Sequence, residues 1–468
     1  MGPPETDLRD EPLTPAGRLF LRPELDQVIN CAIGVKRPFD VAAVRYEIAH
    51  SAMVTHPRFC SLLVRDRQGR EHWRRTQVDV DRHLIVRDDP LDGDGEQAVN
   101  DYLADLAVSS PLCTDKPLWE VHLLRAHNCV VLRVHHALGD GVSLMALFLT
   151  CCRRADDPDR PPTVGLEGRR ERRVGGRGSG LGAKLWAAVK VFWFSLVFVL
   201  EFIGRSLWVR DRRTVLRGGA GVELWPRKLA TARFRLDDMK AVKKAIPNVT
   251  INDVLFGVIS SGLSKYCDFR SPNALQEGLQ ITGVAMVNLR KQSGFQDMSN
   301  LMRQNSGSGW GNKFGMFLLP LYYNRGGANP LQCLKRAKAM LDLKKQSLEA
   351  QFSYRIGDFV MSCFGPKIAS SLNYRILCNT TFTISNVVGP SEEILLTGSP
   401  VTFLRANSSS LPHAITMHML SYAGRADMQI LVAKDIIPEP QYLAACFEEA
   451  LLEMKEAVTT AAAGAAKM

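Results

Sequence analysis

No CxxC pair and no evenly spaced cysteine ladder occurs in this sequence, although its 468 residues include 11 cysteines. Cys151 and Cys152 are adjacent, which suits neither a zinc site nor an ordinary disulfide. Reduced thiols in a cytosolic or cytosol-facing protein are therefore expected. No secretory leader is expected at Met1 to Pro15, which is acidic and proline-rich. The Asn-x-Ser/Thr matches at Asn248, Asn379 and Asn407 are accordingly read as chance. No internal repeat is found. Hydrophobic residues make up 46% and charged residues 23%, which excludes wholesale disorder and collagen-like or coiled-coil character. A mean hydropathy of −0.07 is too low for a polytopic membrane protein. The length allows roughly two to three domains and a full core without covalent staples.

What is present is basic. Lys plus Arg is 59 against 48 for Asp plus Glu, a formal charge of +11. Such an excess suits nucleic acid, an anionic membrane face or a phosphate-bearing ligand. One stretch stands out: residues 185–204 read LWAAVKVFWFSLVFVLEFIG, with sixteen of the twenty apolar. As a helix, about 20 such residues would span roughly 30 Å, one hydrocarbon core. Lys190 and Glu201 near its ends are placed to snorkel. Arg169, Arg170, Arg172, Arg173, Arg177 and Lys184 precede it, and Arg205, Arg210, Arg212, Arg213 and Arg217 follow. With both flanks basic, the positive-inside rule assigns no orientation. The pattern favours a segment that dips into or lies on an anionic leaflet; a buried core helix is the alternative.

The organisation reads as two globular halves, 12–165 and 223–460. They are joined by a basic linker, 166–222, that carries the apolar segment, and followed by a low-complexity tail, 461–468, expected to be disordered. Three local patterns matter. CVVLRV at 129–134 is a strand, followed by HHALGDG and a helix. TINDVL at 250–255 opens a helix with a capping-box-like start at Thr250 and Asp253. Leu443, Phe447, Leu451 and Met454 form the apolar stripe of a C-terminal helix opened by Pro438 and Pro440.

His135 and His136 are the only adjacent histidines, with Asp140 and Gly141 closing the same loop. Successive side chains on a strand point to opposite faces. The pair is therefore ill-suited to chelating one metal and well suited to a division of labour. One imidazole would turn to a cleft, and the other would pack or hydrogen-bond. A neutral imidazole matches general-base work on an alcohol near pH 7. Asp140 sits where an N-cap belongs and is able to bind an arginine, while Gly141 allows a tight strand-to-helix turn. A purely structural histidine pair is the competing reading.

HHxxxDG is the hallmark of the CoA-dependent acyltransferase superfamily, and further motifs narrow the resemblance. Pro117-Leu118-Trp119 resembles a PLW motif, Asn252-Asp253 an Asn-Asp motif, and Ser385 to Pro390 an SN-x-x-GP element. PLTPAGRLF near the N-terminus and WGNKFGMFLLPL in the second half also resemble the plant-type bifunctional wax ester synthase/diacylglycerol acyltransferases. The ordered set covers roughly residues 12–460. The resemblance implies an α/β fold of two chloramphenicol-acetyltransferase-like halves, with mixed sheets and helices, around a central tunnel, plus one hydrophobic membrane-associated helix in the linker.

It also implies transfer of a long-chain fatty acyl group from acyl-CoA to a fatty alcohol or diacylglycerol, with His136 as general base. His135, Asp140 and Gly141 would shape the site, and Asn252 is a possible orienter. Pro117, Trp119, Asp253, Ser385 and Asn386 are candidates for substrate contact, with core packing an equal reading for Pro117 and Trp119. No metal and no cofactor is implied, since acyl-CoA is a substrate, and no covalent acyl-enzyme is required. The expected partners are acyl-CoA, the lipid acceptor and a membrane lipid surface. The expected location is the cytosolic face of the endoplasmic reticulum membrane, with the plasma membrane second. Because both halves would share one compartment, the apolar segment is expected to be interfacial or re-entrant.

Rival readings are an amide-forming condensation domain, an acyltransferase on a soluble acceptor and a non-enzymatic basic membrane-surface adaptor. The chain lacks carrier-protein or adenylation modules for the first and a DFGWG-like element for the second. Nucleic-acid binding is disfavoured because the arginines flank an apolar segment instead of interleaving with aromatics in a folded module.

Overall fold

A computed structural model of the chain describes residues 10–164, 181–290, 310–325 and 329–465. Two mixed sheets form its frame. The first has seven strands in the order Leu84–Arg87, Trp119–Leu124, Cys129–His135, Val28–Val35, Ser399–Ser408, Ile394–Leu396 and Cys152–Arg154. The second has six, in the order Phe314–Tyr322, Gln280–Asn288, Phe382–Val388, Ile415–Tyr422, Arg425–Ala433 and Arg227–Arg235. Three of its four inner strands, Gln280–Asn288, Phe382–Val388 and Ile415–Tyr422, run parallel to one another.

Alternation along the strands decides which face meets what. Val130 and Val134 belong to the core of the first half, whereas Val131 on the opposite face packs with Leu229 and Leu431 of the second sheet. In the second half, Ile415, Met417 and Met419 point into a core closed by helices Ile251–Arg270 and Pro440–Ala465. The alternate residues Leu420 and Tyr422 instead join the core of the first half. The halves therefore meet along apolar faces. Full burial of each such side chain contributes about 1.5–3 kcal/mol. Helix Ile251–Arg270 lies so close to the C-terminal helix that a Cβ on Gly262 would fall 2.3 Å from Phe447 Cδ1.

The division at 223 is not respected by the sheets. Ile394–Leu396 and Ser399–Ser408 cross back from the second half and pair with Cys152–Arg154 and Val28–Val35. The C-terminal helix continues to Ala465, past the point where a disordered tail was expected.

The apolar segment lies in a helix, Leu181–Leu207. Among the described residues, no helix is long and apolar enough to cross a membrane. The expectation that 185–204 has the apolar length to span is thereby corrected, and the inward face of the helix carries buried charge. Glu201 does not snorkel outward. Its carboxylate lies 3.8 Å from Lys344, a fully buried lysine that also pairs with Glu349 at 2.8 Å. Lys344 Nζ sits 3.7 Å from the centroid of Phe198, Phe202 is buried, and Arg205 pairs with buried Asp211 at 2.6 Å. The other face exposes Leu185, Val189, Phe192, Leu196, Leu200 and Ile203 at helical spacing.

Candidate active site

The strand Cys129–His135 ends at the first motif histidine, and the chain then turns into helix Gly141–Thr150. That turn separates the two imidazoles. His135 is buried, its Nε2 lies 2.8 Å from Asp26, and its Nδ1 accepts the Ala137 amide at 3.1 Å. The proton of neutral His135 therefore sits on Nε2, where it donates to the carboxylate. His136 is half-buried, with its ring stacked on Phe20 at 4.2 Å between centroids and met edge-on by Phe314 at 5.8 Å. Its backbone N–H donates to the Gln27 carbonyl at 2.8 Å.

His136 finds its side-chain partner in the second half. Its Nδ1 is 2.9 Å from Asn312 Oδ1, and Asn312 Nδ2 donates back to the His136 carbonyl at 2.8 Å. Burial pulls the His136 pKa below the ordinary histidine value, with the negative charge of Asp140 opposing. His418 is pushed down to about 4, first by burial and then by His136. Both rings are therefore neutral near pH 7.

Asp140 is the bracket of the loop. It caps helix Gly141–Thr150 by accepting the Ser143 amide at 3.0 Å. Its other oxygen takes Arg290 at 2.7 Å and the Lys313 amide at 3.0 Å. Arg290 also reaches Ser143 Oγ at 3.1 Å and the Gly311 carbonyl, and Trp310 Nε1 donates to the Leu138 carbonyl at 2.7 Å. Gly141 begins the helix where a Cβ would press on Val387 Cγ2 at 3.1 Å. Among the described residues, no cluster of three His, Cys, Asp or Glu side chains is placed to hold a metal ion.

The other candidates fall into two groups. Pro117 and Trp119 are core residues: Pro117 is buried, and Trp119 is 0% exposed, stacked on His83 at 3.8 Å, with its indole donating to the Phe59 carbonyl at 2.9 Å. Asp253 is likewise fully buried. It completes the capping box with Thr250 and pairs with Lys345 at 3.1 Å. Asn252 and Asn386 do come together, Asn386 Nδ2 donating to Asn252 Oδ1 at 2.9 Å. Ser385 sits beside His418 in the strand register. The amide bonded to His136, however, is that of Asn312 and not Asn252. Asn312 lies 176 residues from its partner, so no local spacing rule connects them. The only sequence signal was its place in the WGNKFG stretch.

Phe20, Asn312 and Phe314 also line a cavity of about 230 Å³, whose further walls include Leu19, Met316 and Met361.

Two mixed sheets with a histidine loop clamped between the halves define a class. A wax ester synthase/diacylglycerol acyltransferase from Marinobacter aquaeolei VT8 shares the fold, with a TM-score of 0.60 at 18% identity over 96% of this chain and 100% of that one. The first condensation domain of the calcium-dependent antibiotic synthetase shares it too, with a TM-score of 0.57 at 14% identity over 97% of each chain. Sequence then fixes the family within that class. Residues 36–255 match the wax ester synthase/diacylglycerol acyltransferase catalytic domain, and residues 310–455 match the WS/DGAT C-terminal domain. Wax ester synthase/diacylglycerol acyltransferase 11 of Arabidopsis thaliana is 34% identical over 96% of both chains. Number 4 from the same plant is 35% identical over 96% of this chain and 91% of its own. The chain belongs to the wax ester synthase/diacylglycerol acyltransferase family.

Proposed function

We propose that this protein is an O-acyltransferase that moves a long-chain fatty acyl group from acyl-CoA to the hydroxyl of a fatty alcohol or diacylglycerol. The observation that carries the reading is the neutral imidazole of His136, set at the end of the motif strand against Phe20 and Phe314, two rings that also line the cavity of about 230 Å³. His136 Nε2 takes the proton of the acceptor hydroxyl as its oxygen attacks the thioester carbonyl. The tetrahedral intermediate then expels CoA as a thiolate, and the imidazolium returns the proton to it, giving ester and free CoA. Atoms and charge balance without a metal, a cofactor or an acyl-enzyme. Asp140 and Arg290 hold the loop, and the central tunnel that the family resemblance implies would admit the substrates. The cavity of about 230 Å³ is walled mainly by apolar side chains and suits an alkyl chain better than the phosphates of CoA.

The exposed stripe of helix Leu181–Leu207, with Arg210 and Arg213 exposed just beyond it, seats the enzyme on an anionic leaflet. Its location is the cytosolic face of the endoplasmic reticulum membrane, with the plasma membrane second. No nucleic-acid partner is proposed. The deciding experiment supplies labelled palmitoyl-CoA with either hexadecanol or diacylglycerol to the purified full-length protein. Ester should form, and His136→Ala should abolish it while the melting transition persists. Full activity in a folded His136→Ala protein would refute the base assignment.

A further inference from the structure

We infer that Asn312 is a positioning residue that locks His136 in the Nδ1–H tautomer, so that Nε2 alone faces the reacting hydroxyl. The inference rests on the acyl-transfer reading above and adds to it a residue from the opposite half of the chain.

Two hydrogen bonds make the argument. Asn312 Oδ1 lies 2.9 Å from His136 Nδ1, and Asn312 Nδ2 donates to the His136 carbonyl at 2.8 Å. A carbonyl has no proton to give, so the atom facing it must be the amide nitrogen. That choice puts the amide oxygen against Nδ1, and an oxygen accepts only from a protonated Nδ1. The backbone of His136 thus reports the orientation of the amide, and the amide dictates the tautomer of the same residue's ring. Rotating the amide by half a turn would set two acceptors against each other at the carbonyl.

Asn312 itself is held. It is 6% exposed, the next residue's amide is bound by Asp140 at 3.0 Å, and the preceding Trp310 is tied to the Leu138 carbonyl at 2.7 Å. Phe20 and Phe314 leave the ring little room to turn.

A neutral amide differs from a carboxylate in this position. It fixes the proton without adding negative charge, so it does not strongly favour the imidazolium. The groups that bear on the His136 charge are Asp140 and His135 from its own segment and His418 from the strand Ile415–Tyr422. Arg290 and Lys313 lie against Asp140 and temper its effect. Burial dominates this set and lowers the His136 pKa. The base therefore stays unprotonated, and competent, into mildly acidic solution.

The test uses the full-length protein with palmitoyl-CoA and hexadecanol across a pH series, together with nitrogen-15 spectra of labelled histidine. The His136 resonance is assigned by its loss in His136→Gln. Asn312→Ala should lower kcat about 10- to 100-fold with little change in KM, and the His136 nitrogen shifts should move from a single Nδ1–H form toward a tautomer mixture. Asn312→Asp keeps the acceptor and should recover much of that kcat at alkaline pH. Its carboxylate favours the imidazolium, so the His136 pKa rises and the acidic limb of the rate profile moves to higher pH. A wild-type kcat in Asn312→Ala overturns the inference. So does an Asn312→Asp enzyme with an unmoved limb and an unchanged nitrogen spectrum. If Asn312→Ala fails to fold, the limb of the near-isosteric Asp variant decides. Activity in His136→Ala would sink the general-base reading itself, whereas an inactive His136→Ala beside a normal Asn312→Ala would sink only the role of Asn312.

Discussion

At the histidine loop, Asp140, Ser143 and His136 each bond to groups from the second half, Arg290, Gly311 and Asn312 among them. Along helix Leu181–Leu207 the arrangement is inverted. The inward side is pinned by buried charge, and large apolar groups such as Phe192, 69% exposed, face outward. Both regions join the halves, but they do so in opposite ways. The loop is closed on itself, so a change there should be felt inside the protein. Among the described residues the outer helix face is largely exposed, so a change there should be felt mainly by whatever lies outside.

The comparison breaks most visibly at Asp140. Asp140→Ala removes a helix cap and breaks the largely buried contacts of that carboxylate with Arg290 and the Lys313 amide. Removing one partner of a buried pair costs about 3–5 kcal/mol. Chemical denaturation should show that loss, and ester formation should collapse with it as the loop loosens. Asp140→Asn, which keeps an acceptor for the cap, should lose less stability. If both variants matched the native protein, the loop would not depend on the second half.

Asp211→Ala probes the anchored side of the helix. Asp211 accepts from Arg205 at 2.6 Å, from the Thr282 amide at 2.7 Å and from Thr381 Oγ1 at 2.6 Å. Its removal should cost about 3 kcal/mol, read as a lower denaturation midpoint. The kcat of the folded fraction should stay near wild type, which separates anchoring from chemistry. A large fall in kcat at unchanged stability would tie this network to the active site and erase the contrast.

What the sequence made legible follows from the range of each signal. The strand into His135, the N-cap at Asp140 and the capping box at Thr250 are local patterns, and each stands in the structure. Long-range partners left no such trace. An arginine for Asp140 was anticipated as a type, but its identity as Arg290 required the fold. Asn252 is the amide that the motifs single out, whereas the amide hydrogen-bonded to His136 is that of Asn312. Trp119 and Asp253 illustrate the reverse: residues in recognisable motifs that the fold commits to its interior. Glu201 was misread because a helix's inward face is invisible until its neighbour is known, and Lys344 is that neighbour. The return of Ser399–Ser408 to the first sheet is likewise a pairing that strand alternation alone does not specify.

The smallest effect on the protein should come from the outer face of the helix. Phe192 and Trp193 are both exposed among the described residues. Replacing both with serine removes apolar area that is already in water, so stability should change by no more than about 0.5 kcal/mol. Vesicle binding, which scales with the apolar area that enters the leaflet and with attraction to anionic lipid, should fall clearly. Co-sedimentation with phosphatidylcholine vesicles containing phosphatidylserine reads this directly, and raising the salt should weaken what binding remains. Turnover of a short, water-soluble alcohol should be unchanged, because that acceptor does not have to be drawn from a bilayer. If the double variant bound vesicles as well as the native protein, the exposed stripe would not be the lipid-facing surface. If instead it lost stability by several kcal/mol, the stripe would be packed within the folded chain, and the contrast with the histidine loop would fail at its weaker end.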